Sequence, residues 1–311
     1  MKVLFTFTVK DYLIEDLHHE FSNVNFVFSN IKDEEVLKDA EIIVTYGEDI
    51  TIDTLNKAES LKWLMVASAG LEKMPLQEIG ERGIFLTNVK GIHKTPMAES
   101  VMAHILALKR SLPWIYQQNS WNHKSGSTEL RGSTAIIIGP GAIGGEIGRL
   151  LQAFGVHTIG CNRSGKASSH MNEMISFENL SEKLPLADLV ISVLPSTNET
   201  KGLLTYEHFV QMKETAIFMN FGRGDVIKEE ELIQAMSEHQ IEYAVLDVFE
   251  TEPLTDGHPF WTMDNVIVSP HVSSHSSEYV PRALEIFRHN LSEWIKKTTN
   301  FQNVIDTEKG Y

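Results

Sequence analysis

Three short segments in the second half of the chain carry side chains suited to reducing a carbonyl. Asn220-Phe221-Gly222-Arg223-Gly224-Asp225 sets an arginine between glycines. Leu246-Asp247-Val248-Phe249-Glu250-Thr251-Glu252-Pro253 supplies carboxylates, and Ser269-Pro270-His271 supplies an imidazole. Addition of hydride to a ketone leaves negative charge on oxygen, so an acid must deliver a proton. Histidine suits that task because its ordinary pKa lies near working pH. A carboxylate beside it favours the imidazolium and fixes the ring. A fixed arginine holds a substrate carboxylate and polarises the neighbouring carbonyl. Taken singly, Arg223 reads equally well as a surface ion pair, His271 as a structural histidine, and Glu250 and Glu252 as solvated charges. Each segment follows an apolar run expected to be a strand (216–219, 243–246 and 266–268). In a parallel sheet the three therefore emerge at one ligand-facing edge.

A hydride donor has its own signature in mid-chain. Between the apolar run Ala135-Ile136-Ile137-Ile138 and a helical stripe of Ile143, Ile147, Leu150, Leu151 and Phe154 stands Gly139-Pro140-Gly141-Ala142-Ile143-Gly144. Its first glycine permits a tight turn, the second lets backbone N–H groups approach a pyrophosphate, and the third lets helix and strand pack closely. The helix N-terminus adds unpaired donors and the positive end of its dipole. A further strand, 156–160, follows, as a dinucleotide-binding unit requires.

The elements that must position these groups alternate along the whole chain. Strands are expected at 3–7, 24–28, 42–45, 61–67 and 84–86, with helical segments near 11–21, 33–39, 51–59 and 75–81. Such alternation predicts a parallel sheet covered on both faces. After the loop 88–94, Thr95 is expected to cap a long helix with Pro96 at its first position and Val101, Ile105, Leu108 and Leu112 as its buried stripe. A polar stretch, 114–128, precedes the glycine unit, whose strands continue at 156–160, 189–194, 216–220, 243–246 and 266–268. The last helix carries Leu284, Phe287, Leu291 and Ile295 inward. The glycine loop lies too far along the chain for an N-terminal nucleotide domain. An insertion explains it: residues 97–277 form one domain, and 1–96 with 278–311 form the other. Hinges near 88–96 and 269–280 would flank a cleft.

The 311 residues exceed one ordinary core, and a formal net charge of −15 disfavours nucleic acid or an anionic membrane as partner. An anionic substrate must then find a local cationic pocket. The one cysteine, Cys161, reads as a small strand residue, excludes an intrachain disulfide and suits a reducing cytoplasm. The run 3–7 reads as a strand, being too short for a signal peptide. His271 and His275 stand four apart, but Pro270 and the neighbouring serines argue for loop, so no metal is expected. His18-His19 reads as a solvated face.

Together these segments resemble the D-isomer-specific 2-hydroxyacid dehydrogenase family over essentially the whole chain. The resemblance rests on the glycine loop with its lead-in Glu129-Leu130-Arg131-Gly132, on Ala187-Asp188-Leu189-Val190 through Leu194-Pro195-Ser196-Thr197-Asn198-Glu199-Thr200, and on Arg223, Glu252 and His271. It implies an α/β protein of two doubly wound parallel-sheet domains, a Rossmann cofactor domain inserted into a flavodoxin-like substrate domain. It implies that Arg223, Glu252 and His271 are the catalytic set and that Asp247 meets the nicotinamide carboxamide. Ser68-Ala69-Gly70 would bind the substrate carboxylate through backbone N–H groups, together with Arg223. Coenzyme contacts would come from Gly139, Gly141, Ala142, Ile143, Gly144, Leu194, Pro195, Thr200, Phe221, Gly222 and Asp247. Met97-Ala98-Glu99 matches the start of the family's interdomain helix, usually part of a homodimer interface. Two departures stand out: Met97 where the family more often has Val, and Ser273-Ser274 where it has glycine after the histidine.

The resemblance implies reduction of a small 2-keto acid, glyoxylate or hydroxypyruvate, to the D-2-hydroxy acid. Alternatives are an NAD-linked D-lactate-like or phosphoglycerate-like dehydrogenase, or a nucleotide-sensing binding protein akin to the related corepressors. Ending at Tyr311, the chain is expected to lack the regulatory domain that some phosphoglycerate enzymes carry. The expected pocket wall lies near Tyr46, Met65, Met97 and Trp114. An NAD-preferring site wants an acid at the end of the second nucleotide strand. That region reads Gly160-Cys161-Asn162-Arg163-Ser164-Gly165-Lys166, without one. Asn162, Arg163, Ser164 and Lys166 are therefore expected to receive a 2′-phosphate, making NADP(H) the preferred coenzyme and NAD(H) the lesser one.

Overall fold

The computed structural model describes residues 1–68, 70–71, 74–123 and 126–308. The chain divides into two compact units, Met1–Ile92 with the C-terminal segment from Ser276, and His93–His275.

The first unit holds a five-stranded parallel sheet of order β2-β1-β3-β4-β5, built from β1 (Lys2–Phe5), β2 (Asn25–Phe28), β3 (Ile42–Thr45), β4 (Trp63–Val66) and β5 (Phe85–Asn88). Its strands are apolar on both faces because each face is covered. Val3, Phe5, Ile42, Val44, Trp63 and Met65 face one core, while Leu4, Ile43, Leu64 and Val66 face the other. The helix Tyr279–Lys296 covers the first of these: Phe287 stacks on Trp63 at 5.7 Å and meets Phe5 edge-on at 5.1 Å. Ile295, expected in its buried stripe, is 47% exposed, because Trp294 takes the inward place at this turn and stacks on Trp63 and Phe85. Met65 is wholly buried in the sheet core and lines no open wall.

The second unit is a seven-stranded parallel sheet of order β12-β11-β10-β9-β6-β7-β8. Its strands are β6 (Thr134–Ile138), β7 (His157–Asn162), β8 (Glu173–Ser176), β9 (Leu189–Ser192), β10 (Ile217–Asn220), β11 (Tyr243–Leu246) and β12 (Val266–Val268). The order reverses between β6 and β9, which makes the crevice beyond their carboxyl ends the ligand position of a doubly wound sheet. Register aligns those ends. Ile138 pairs with Ser192, Ser192 with Asn220, Asn220 with Leu246, and Leu246 with Val268, so five loops leave the sheet at one level.

Several boundaries differ from the sequence expectation. The long helix begins at Lys94, with His93 before it, so Thr95 lies inside the first turn. It ends at Lys109; Ser111 takes φ 53°, and Leu112–Tyr116 forms a separate short helix without a buried residue, so Leu112 leaves the expected stripe of the long helix and 114–116 leave the expected polar stretch. The nucleotide helix Ala142–Ala153 buries Ile147 and Leu151 with Gly144, Gly145 and Gly148, whereas Phe154 caps its end and is 45% exposed. Strand β8 was not foreseen. Among the described residues no helix is long and apolar enough to cross a membrane.

Candidate active site

The glycine loop joins β6 to the nucleotide helix by close approach of backbones. Gly139 takes φ +94°, and a Cβ there would meet the Val193 carbonyl oxygen at 3.0 Å. A Cβ on Gly144 would stand 2.5 Å from the Gly139 carbonyl oxygen, so the helix can start here only on glycine. Gly141 differs. A Cβ on it would meet nothing within 4 Å, and Gly141 and Ala142 are exposed. Open space therefore lies beside the first turn, whose N–H groups have no partner within the helix. That fits a dinucleotide pyrophosphate.

Beyond β10, the turn carrying Arg223 is built on the buried Asn220 side chain. Its Nδ2 donates to the Arg223 carbonyl at 2.9 Å, and Gly222 N donates to its Oδ1 at 3.3 Å. Gly224 fixes this turn against the next one, since a Cβ there would fall 1.9 Å from the Phe249 carbonyl carbon. The half-buried Arg223 donates from Nη1 to the Gly222 carbonyl at 2.9 Å. Beyond β11, Phe249 N donates to Glu252 Oε1 at 3.0 Å, which tethers the glutamate to its own loop. The other oxygen, Oε2, lies 2.7 Å from Nδ1 of His271, beyond β12. With Nδ1 so engaged, Nε2 is the nitrogen left to a ligand. Glycine cradle, arginine and histidine–glutamate pair thus stand beyond the aligned ends of β6, β10, β11 and β12.

The sequence profile described as "D-isomer specific 2-hydroxyacid dehydrogenase, NAD binding domain" matches residues 101–273. The chain belongs to the D-isomer-specific 2-hydroxyacid dehydrogenases. It is 33% identical over 271 residues to a D-3-phosphoglycerate dehydrogenase of Methanocaldococcus jannaschii, covering 85% of this chain and 50% of that one. It therefore spans half the length of the archaeal protein. It is also 33% identical over 229 residues to a glyoxylate reductase/hydroxypyruvate reductase of Homo sapiens, covering 69% of this chain and 68% of the relative. A crystal structure of a family protein from Aeromonas salmonicida superposes with a TM-score of 0.88 at 30% identity, covering 98% of this chain and 99% of the other.

In this dehydrogenase the loop bearing His271 is held by a second acid. Asp247, 1% exposed, accepts from Ser269 Oγ at 2.6 Å, Val272 N at 3.0 Å and Ser273 N at 3.2 Å, and from the Ser273 hydroxyl. Its two oxygens are thus engaged by donors on both sides of His271. The resemblance would aim Asp247 at a carboxamide; the bonds it makes here hold the loop. His271 takes φ 53°, a left-handed backbone uncommon outside glycine. Ser273 supplies two of the four donors.

Other expected contacts resolve by burial. Phe221 and Leu194 are 1% and 5% exposed with their side chains in the cores, leaving only their backbones to a coenzyme. Gly222 is buried, with room for no Cβ beside the Leu194 carbonyl oxygen at 2.4 Å. Thr200 Oγ1 donates to the Pro195 carbonyl at 2.6 Å and accepts from Thr197 N at 2.9 Å, so its hydroxyl shapes the turn. Glu250 accepts from Glu229 N at 3.1 Å and takes no part in the histidine pair. Burial pushes the Cys161 thiol up to about 12, which makes it no nucleophile at neutral pH. Beyond β7, Asn162 forms a turn: its Nδ2 donates to the Lys166 carbonyl at 2.9 Å, and Ser164 N donates to its Oδ1 at 3.1 Å. Arg163, Ser164 and Lys166 are exposed around it, and Arg163 pairs with Glu199. In the first unit Ser68 Oγ lies 3.0 Å from the carbonyls of Tyr46 and Gly70. Ala69 lies outside the described residues.

Two histidines escaped the sequence reading. Burial, aided by the charge of Arg223, pushes His93 down to about 4. It is therefore neutral at working pH and adds no second cation near the arginine. Burial also lowers His104, against the opposing pull of Asp247, and its ring lies 6.0 Å from that of Phe221. Only tertiary burial marks them; nothing in their sequence neighbourhood does. Among the described residues no group of three or more His, Cys, Asp or Glu side chains is placed to hold a metal ion.

Proposed function

We propose that this dehydrogenase reduces a small 2-keto acid, glyoxylate or hydroxypyruvate, to the D-2-hydroxy acid, with NADPH as preferred coenzyme and NADH as the lesser one. The observation that carries the reading is the His271–Glu252 pair at 2.7 Å, its members one and two strands beyond the turn that presents Arg223. Reduced nicotinamide supplies the hydride when bound. His271 delivers a proton to the carbonyl oxygen, which becomes the hydroxyl, and Glu252 stabilises the imidazolium before transfer. Arg223 pairs with the substrate carboxylate and draws charge toward the carbonyl oxygen. Asp247 keeps the backbone beneath His271 in place. Glycine at 141 leaves the pyrophosphate its space, and Arg163, Ser164 and Lys166 receive the 2′-phosphate.

The reading is tested with glyoxylate, hydroxypyruvate, pyruvate and 3-phosphohydroxypyruvate, each with NADPH and NADH, following loss of nicotinamide absorbance. Turnover of the first two with a higher kcat/KM for NADPH is expected. Comparable kcat/KM with NADH overturns the coenzyme assignment, a preference for the phosphorylated acid overturns the substrate, and coenzyme binding without turnover overturns the enzyme.

The same proposal includes a homodimer in a reducing cytoplasm. Trp114, Ile115, Tyr116 and Trp121 are 39%, 41%, 77% and 89% exposed within one short stretch after the long helix. Apolar surface so concentrated supports that reading. Light scattering is expected to give twice the 35.1 kDa of one chain; a monomeric mass at micromolar concentration rejects the dimer.

A further inference from the structure

The loops on either side of the glycine strand are bridged by one ion pair. Strand β6 lies between β7 and β9 in the sheet. Arg163 follows β7 and Glu199 follows β9, 36 residues later; Nη1 of the arginine lies 2.9 Å from both carboxylate oxygens. Neither end is a loose side chain on a loose loop. Asn162 stitches the turn that carries Arg163, and the Thr197–Thr200 hydroxyl bonds stitch the turn that carries Glu199. The Ser168 hydroxyl donates to the Pro140 carbonyl, tying the arginine's loop to the glycine loop itself.

We propose that Glu199 sets the coenzyme preference by competing with the 2′-phosphate for Arg163. This rests on the coenzyme assignment made above and extends it to a residue on another loop. The end of β7 offers no acid, so the carboxylate acting on this corner comes from the β9 loop. A guanidinium binds a carboxylate or a phosphate through the same N–H donors, and here both carboxylate oxygens meet Nη1. The two anions therefore compete for one cation, and a phosphate seated on Arg163 also meets like charge on Glu199. A coenzyme without the phosphate leaves the pair intact. Glu199 thereby weakens NADP(H) selectively and brings the two coenzymes closer in affinity than the basic loop alone would.

The test is calorimetric titration of the full chain with NADP+ and with NAD+, for the native protein, Glu199→Gln, Arg163→Ala and the double variant. Both side chains are well exposed, 74% and 57%, so the variants retain the fold, checked by circular dichroism. Glu199→Gln is expected to tighten NADP+ about two- to five-fold, the range of an exposed pair, and to leave NAD+ unchanged. The gain should disappear in the Arg163→Ala background and shrink in high salt. If Glu199→Gln changes nothing while Arg163→Ala weakens NADP+, the role of Glu199 is refuted and the coenzyme assignment stands. If neither variant alters NADP+ binding, both fall. Tightening that persists without Arg163 reflects general charge and also overturns the competition.

Discussion

Replacement of His271 by Gln is expected to lower kcat by about a hundred- to ten-thousand-fold, the usual worth of a positioned general acid. Glutamine fills a similar volume and keeps a hydrogen-bond donor, but it cannot ionise. The loop beneath it should survive, because Asp247 holds Ser269, Val272 and Ser273 and not the ring. NADPH affinity should therefore stay near the native value while turnover collapses, a separation read from coenzyme titration alongside steady-state rates. A variant that turns over glyoxylate almost normally would remove His271 from the chemistry.

Replacement of Arg223 by Gln should act differently, lowering kcat/KM for the keto acid by about a hundred- to a thousand-fold, since a partly buried cation is lost to its anionic partner. In a chain with a formal net charge of −15 no general field compensates. The turn itself is held by Asn220 and by the contact of Gly224 with the Phe249 backbone, so coenzyme binding should not change. Arg223→Lys should recover only part of the loss, because an ammonium restores charge without the fork. Unaltered keto-acid kinetics in Arg223→Gln would show that the carboxylate binds elsewhere.

The parts of the site written in local sequence were legible there. The glycine loop declares itself by spacing, and Arg223, Glu252 and His271 by following apolar runs whose parallel pairing brings them to one edge. What stayed hidden depends on partners remote in the chain. The role of Asp247 appears only when donors 22 to 26 residues away fold onto it, and Arg163 gains its partner 36 residues on. Leu194 and Phe221 sit beside coenzyme-type motifs, yet their side chains face the cores. Strand β8 escaped because it is an edge strand of four residues, Glu173-Met174-Ile175-Ser176, with Ile175 alone fully buried. Phe154 extended its helical stripe onto the C-cap residue, and Ile295 was expected where the neighbouring Trp294 turns inward onto Trp63 and Phe85.

The two acids around His271 divide its freedoms between them. Asp247 pins the backbone after the residue and the Ser269 hydroxyl before it, while Glu252 meets the imidazole. Backbone and ring are held by separate acids. Reprotonation between catalytic cycles thus requires no remodelling of the main chain, and the proton donor returns to the same place each time.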